Sequence, residues 1–269
     1  MSHFRFRSRP FDHSTLMWWT ILILIVLLSV LAPFLTSIDP LYASGQGLRP
    51  PSAAHWLGTD LIGRDIFSRL LYGGQSSLLN AAAATLIAIF PGTVIGMFVG
   101  FAGGWLDALF GLLLDAMLAF PSLLMALALI TIIGTGTLPI VLAAGLAGFP
   151  PFSRVARAAV RQIRTVGYIE SARSIGSTER HILWVHVLPN VTPILLSFGG
   201  VIFSWALLNE SALAFLGFAG NLSTPDWGIM LAAGRQTMLS APLAAIAPGL
   251  LITLTILAVN RLVDRITVQ

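Results

Sequence analysis

Two acidic residues lie inside long apolar runs and are the first candidates for chemistry in this sequence. Asp115 and Glu210 each interrupt a stretch of hydrophobic side chains. A charged side chain at the centre of a bilayer costs about 3 kcal/mol on insertion scales, so each acid needs a partner or polar surroundings. Asp115 could pair with an arginine near the inner interface, and Glu210 could bind the outer loops or cap a helix. Alternatively, both could line a polar translocation path or gate.

The residue types that are missing exclude several reactions. All 15 residues counted as lysine or arginine are arginine, so the chain cannot supply a phosphate-loop lysine or a Schiff base. The absence of cysteine excludes disulfides and thiolate metal sites. His181 and His186 have no carboxylate placed to complete a metal set. We therefore expect no metal site and no cofactor bound by this chain.

The composition is that of a membrane protein. Of 269 residues, 56% are hydrophobic and 10% are charged, and the mean hydropathy is +0.87. Soluble domains carry about 25% charged residues. This comparison excludes a soluble enzyme, a disordered chain and a nucleic-acid-binding module. The net charge of +4 comes from arginines beside apolar runs, which indicates membrane topology rather than nucleic-acid binding.

The apolar runs predict an all-α polytopic membrane protein with six transmembrane helices, since about 20 apolar residues span a bilayer. The runs are Leu16–Leu35, Leu78–Phe101, Ala108–Ile133, Leu138–Val160, Val191–Phe218 and Pro242–Val259. Eleven arginines fall on one side and four on the other, so the positive-inside rule places both termini in the cytoplasm. This gives a cytoplasmic tail (1–15) and a transmembrane domain (16–269) with an outer loop (36–77) and a cytoplasmic loop (161–190).

Small residues recur at every fourth position in the second predicted span. They are Ala84, Ala88, Gly92, Gly96, Gly100 and Gly104. Such a stripe lets a neighbouring helix backbone approach closely. We expect a helix-packing surface along this span.

The cytoplasmic loop carries a pattern of two short helices joined by a glycine. Gly176 is suited to a left-handed helix cap, and Ser177 or Thr178 could cap the helix that follows. Ile182, Val185 and Leu188 would form an apolar stripe before Pro189. The pattern predicts a compact knob that docks into a groove of a partner.

This loop resembles the EAA motif of binding-protein-dependent ABC importer permeases. The matching residues are Glu170-Ser171-Ala172, Gly176 and His186-Val187-Leu188-Pro189. Ser171 replaces the usual alanine, and His186 replaces an isoleucine, as is familiar in the dipeptide, oligopeptide and nickel branch. Three further segments resemble that branch in the same order: residues 57–65, Asp115 with 119–121, and residues 210–217 with 225–231.

The resemblance implies a type I ABC importer permease fold in the inner (plasma) membrane of a prokaryote. It implies a second homologous permease, two cytoplasmic ATPases that carry ATP and magnesium, and an extracytoplasmic binding protein that delivers small peptides. The ATPase-coupling residues would be Glu170, Ser171, Ala172, Gly176, His186, Leu188 and Pro189. Asp60, Gly63, Arg64 and Asp65 would contact the binding protein or the second permease, unless a local Arg–Asp pair only holds the loop. The chain itself would be a non-catalytic transport subunit.

Two other transport functions stay open at this point. The same kind of permease could carry nickel or a metal complex. An ion-coupled secondary transporter would instead place ionisable groups near the bilayer midplane and often show an inverted repeat. The sequence shows no convincing repeat, and its two intramembrane acids lie near span ends.

Overall fold

The structure is a computed structural model that describes residues 13–267, and within that range it is helical apart from connecting loops and one isolated bridge between Thr59 and Asp65. The α-helices are α1 (His13–Val30), α2 (Ala32–Leu35), α3 (Ile66–Ala102), α4 (Gly104–Leu118), α5 (Ser122–Ile133), α6 (Thr137–Arg164), α7 (Gly167–Ser174), α8 (Glu179–His181), α9 (Leu188–Phe215), α10 (Trp227–Gln236) and α11 (Leu243–Thr267). A π-helix, Ile182–Val187, joins α8 to α9.

Five helical segments in the described range are long and apolar enough to cross a membrane, and a sixth arises if α4 and α5 form one broken span. These two helices meet at 89°. The predicted span Ala108–Ile133 is therefore broken rather than straight. Pro121 lies at the break, where its missing N–H and extended backbone (ψ 134°) end one helix and start the next.

The helix ends differ from those predicted from the apolar runs. Helix α3 begins at Ile66, inside the predicted outer loop, because Asp65 caps it by accepting a hydrogen bond from the Ser68 N–H at 2.6 Å. Helix α1 begins at His13, and residues 1–12 and 268–269, which include most of the predicted tail and both chain ends, lie outside the described range. Helices α1 and α3 therefore both begin before their apolar runs, in segments that contain polar residues.

Helices α3 and α6 pack backbone against backbone along the predicted small-residue stripe. A Cβ at Gly96 would lie 2.8 Å from the Ser153 carbonyl oxygen, and one at Gly100 would lie 2.7 Å from that of Arg157. Ala84, Ala88 and Gly92 are also buried, whereas Gly104 starts α4. The packing prediction is confirmed for five of its six residues.

Helix α10 is held against α3 by its first residue. The Trp227 side chain is fully buried, and its Nε1–H donates a hydrogen bond of 3.0 Å to the Leu70 carbonyl. Asp226 caps α10 by accepting from the N–H groups of Gly228 and Ile229. This short helix brings the acidic residue Asp226 into the interior beside α3.

Candidate functional site

The cytoplasmic elbow has the backbone geometry that its glycine predicts. Gly176 has a φ of +86°, and the N–H of Ser177 donates to the Ala172 carbonyl at 3.1 Å, which closes the end of α7. Thr178, rather than Ser177, caps α8 by accepting from the His181 N–H at 3.3 Å. We call residues 167–187 the coupling segment.

The coupling segment is anchored to the transmembrane helices by its apolar side. Ile169 and Ala172 of α7 are buried in one cluster with Met97 of α3, Val160 of α6 and Val191 of α9. Its other side faces outward. Among the seven predicted coupling residues, Ala172 is buried, His186 and Leu188 are half-buried, and Glu170, Ser171, Gly176 and Pro189 are exposed.

The π-helix changes which residues of this segment are buried. Ile182 and Val187 are both fully buried, whereas Val185 is 50% exposed. The predicted apolar stripe is therefore wrong at Val185. It assumed the α-helical repeat, but hydrogen bonds in a π-helix span five residues, so positions five apart share a face.

Arg173 connects the two halves of the elbow and reaches α3. Its guanidinium donates two hydrogen bonds to Glu179, at 2.8 and 3.0 Å, and the Glu179 carboxylate raises the pKa of Arg173. It also lies over the Phe101 ring, 5.7 Å from the centroid. Sequence reasoning missed these contacts because they depend on the turn at Gly176.

Two arginine–aspartate pairs join α6 to α4. Arg154 and Asp115 are 2.9 Å apart, with more than half of each side chain exposed, so the predicted pairing of Asp115 with an arginine is present. The pair of Arg157 with Asp107 is nearly buried, and Arg161 lies 3.5 Å from the same carboxylate. Asp107 was overlooked because it lies one residue before the predicted start of the third span.

Glu210 is buried in a polar cluster between α3 and α9. It is 1% exposed and accepts hydrogen bonds of 3.2 Å from Asn80 Nδ2 and from Ser211 Oγ. Asp226 and Glu210 both line a cavity of about 290 Å³, and the Ser77 hydroxyl donates to Asp226 at 2.9 Å. The side chains of Asn80, Thr137 and Thr224 add polar groups to the cavity wall.

The outer-segment residues are bonded to one another within their own loop. Arg64 Nε and Asp60 Oδ2 are 2.6 Å apart, and both residues are buried. Gly63 has a φ of +87° in the turn between them, and His55 Nδ1 lies 2.9 Å from the Asp65 carboxylate. The local Arg–Asp pair is thus present, and an outer-face contact stays a prediction.

Metal-ligating side chains are scattered in the described part of the chain. Residues 13–267 contain no group of three or more histidine, cysteine, aspartate or glutamate side chains that could hold a metal ion.

The sequence matches a protein-family model described as "Binding-protein-dependent transport system inner membrane component" over residues 92–268. The chain belongs to this family. Glutathione transport system permease protein GsiD of Escherichia coli O6:K15:H31 is 38% identical over 250 residues, which cover 91% of this chain and 82% of that protein. GsiD of Pectobacterium atrosepticum is 38% identical over 214 residues, covering 80% of this chain and 71% of that protein.

A solved structure of the MetNI methionine ABC transporter, described as inward-facing, shows the same fold. The similarity has a TM-score of 0.55 at 18% sequence identity and covers 74% of this chain and 96% of that chain. The protein is therefore an inner-membrane permease subunit of an ABC importer with a type I permease fold. Membership of this family implies ATPase and solute-binding partners.

Proposed function

We propose that this permease imports small peptides together with a second homologous permease, two ATPase subunits and an extracytoplasmic binding protein. The observation that carries the substrate class is the 38% identity to glutathione permeases over 91% of the chain. Glutathione is itself a tripeptide. ATP and magnesium would be bound by the ATPases, and this chain would bind no cofactor and perform no catalysis.

The surface of the coupling segment supports docking onto an ATPase. Ile175 at the elbow tip is 84% exposed, Trp184 is 59% exposed, and Tyr168 is 42% exposed. Exposed apolar side chains that are grouped and surrounded by polar residues mark contact surfaces. Because Ile169 and Ala172 are buried in the core behind them, a push on this surface would reach α3, α6 and α9.

The polar cavity beside Glu210 supports a path for a hydrophilic solute. Its wall combines carboxylates with the amide of Asn80 and the hydroxyl of Thr137, groups that can replace the hydration of a peptide. Asp115, in its half-exposed pair with Arg154, would contribute further along the path or at a gate. Asp60, Gly63, Arg64 and Asp65 would shape the outer surface that meets the binding protein or the second permease.

The test is uptake by the complete transporter in proteoliposomes. The permease would be reconstituted with its partner permease and ATPases, and loaded binding protein would be added outside. We expect ATP-dependent uptake of labelled glutathione or a labelled dipeptide, and none when this permease is omitted.

Two results would overturn the proposal. Uptake of ⁶³Ni²⁺ but of no peptide would assign a nickel or metal-complex permease instead. Peptide uptake by this chain alone, driven by an ion gradient without ATPases, would assign a secondary transporter.

A further inference from the structure

The helix that leads from the elbow into the membrane contains one wide turn. Residues 179–215 form a continuous 37-residue helix, but Ile182–Val187 within it is π-helical. The Leu188 N–H donates to the Leu183 carbonyl, five residues back, in place of the residue four back. Each π-turn therefore holds one residue more than an α-turn.

The buried side chains depend on this additional residue. At about 100° per residue, Ile182 and Val187 would lie roughly 140° apart on an α-helix and could not both face the core. Both are fully buried, in the same cluster as Val191 and Ile169. The wide turn thus sets the rotational position of the elbow relative to α9.

Pro189 favours the wide turn, because it removes one backbone hydrogen bond at the end of the turn. Pro189 has no N–H, so it can donate neither to Val185, as in an α-helix, nor to Trp184, as in a π-helix. The Asn190 side-chain amide donates to the neighbouring His186 carbonyl at 2.6 Å. This side-chain bond lies at the boundary between the π-helix and α9.

We infer that this π-helix is a register hinge, which converts to α-helix during transport and rotates the elbow about the axis of α9. Loss of the additional residue from the turn would rotate the preceding segment by roughly 100°. That residue can move into the turn at Gly176, which is exposed and has no atom within 4 Å of the site of a Cβ. Single π-turns occur frequently at functional sites. This inference rests on the proposed coupling to ATPases.

Deleting one exposed residue of the π-helix tests the hinge directly. Without Val185, Ile182 and Val187 become four positions apart, so an α-helix keeps both buried. The deletion should insert and bind the ATPases normally but lower ATP-driven uptake at least tenfold, because the joint is fixed in one register. Val185→Ala, which keeps the chain length and therefore the wide turn, is the matched control and should lose far less uptake than the deletion. Uptake by the deletion variant within twofold of the wild type would overturn the inference.

A spectroscopic measurement tests the register hinge even if the deletion variant does not fold. The chain has no cysteine, so Arg180→Cys and Leu196→Cys place two spin labels on exposed positions of the same continuous helix. The distance between the labels in the full transporter should change between the nucleotide-free and ATP-trapped states. An unchanged distance in a transporter that takes up peptide would overturn the hinge, whereas absence of ATP-dependent uptake by the wild type would overturn the proposed function instead.

Discussion

Asn80 and Glu210 are 130 positions apart in the sequence and are joined by a hydrogen bond of 3.2 Å between Nδ2 and Oε1. The bond links α3 to α9 beside the polar cavity, and Glu210 is 1% exposed there. A buried acceptor with two donors holds its neighbours in place, and removing it leaves those donors unpaired. Glu210 therefore combines a structural role with a position on the proposed path.

The two roles of Glu210 can be separated by two substitutions. Glu210→Ala leaves Asn80 and Ser211 without their acceptor, which should lower the free energy of unfolding by about 1–3 kcal/mol. Glu210→Gln keeps an acceptor oxygen and the side-chain shape, so its melting temperature in detergent should stay near that of the wild type. If Glu210 also contacts the peptide on the path, uptake by this variant should still fall several-fold, because an amide nitrogen replaces one carboxyl oxygen. Uptake by the glutamine variant equal to the wild type would limit Glu210 to a structural role.

The left-handed backbone at Gly176 predicts a sharp dependence on residue type. Gly176→Val forces a β-branched residue to φ +86°, which costs on the order of 1–3 kcal/mol locally and should reshape the elbow. We expect the variant to insert at normal abundance and lose ATP-driven uptake. Gly176→Asn should retain most activity, because asparagine tolerates this conformation.

Gly167→Val is the matched control for the elbow. Gly167 lies at the start of α7, also has no atom within 4 Å of its Cβ site, and is not among the positive-φ glycines. Both valine variants add the same volume to open space, so only the backbone conformation differs. Equal uptake by the two variants would show that the shape of the turn is irrelevant to coupling.

Features that depend on local backbone rules could be predicted from the sequence. Gly176 and Thr178 follow from helix-capping preferences, and the stripe from Ala84 to Gly100 follows from the helical repeat. The hydrogen bond of Asn80 to Glu210 could not, since nothing in one sequence indicates which polar residues 130 positions apart will meet. The π-helix was missed for another reason: Ile182, Val185 and Leu188 fit an α-helical stripe equally well in the sequence.

The outer loop gives a test of contact with the binding protein. Arg64→Glu removes the guanidinium whose Nε lies 2.6 Å from Asp60 Oδ2 and adds a second negative charge to this buried site, so we expect a disturbed loop, a lower melting temperature and slower uptake. Arg49→Glu changes an exposed residue of the same loop by the same charge. The affinity of loaded binding protein for the reconstituted transporter should fall for Arg64→Glu alone if loop shape governs docking. A fall for both variants would point to the net charge of the surface, and no fall for either would exclude a docking role for Arg64.

Helices α4 and α6 contain two arginine–aspartate pairs that differ mainly in burial, and they should respond differently to the same substitution. In the Asp107 pair the side chains are 12% and 17% exposed, and a second arginine, Arg161, faces the same carboxylate. Asp107→Asn leaves the nearly buried Arg157 guanidinium without its counter-charge, which costs about 3–5 kcal/mol for a buried pair, whereas Arg161 is 57% exposed and should contribute little. In the Asp115 pair the exposures are 59% and 57%, so Asp115→Asn should cost about 0–1 kcal/mol. Thermal unfolding in detergent compares the Asp107→Asn and Asp115→Asn variants, and equal melting temperatures would show that burial of the Asp107 pair contributes nothing to stability.

A normal melting temperature with slower uptake in Asp115→Asn would instead support a role for Asp115 in the path or gate.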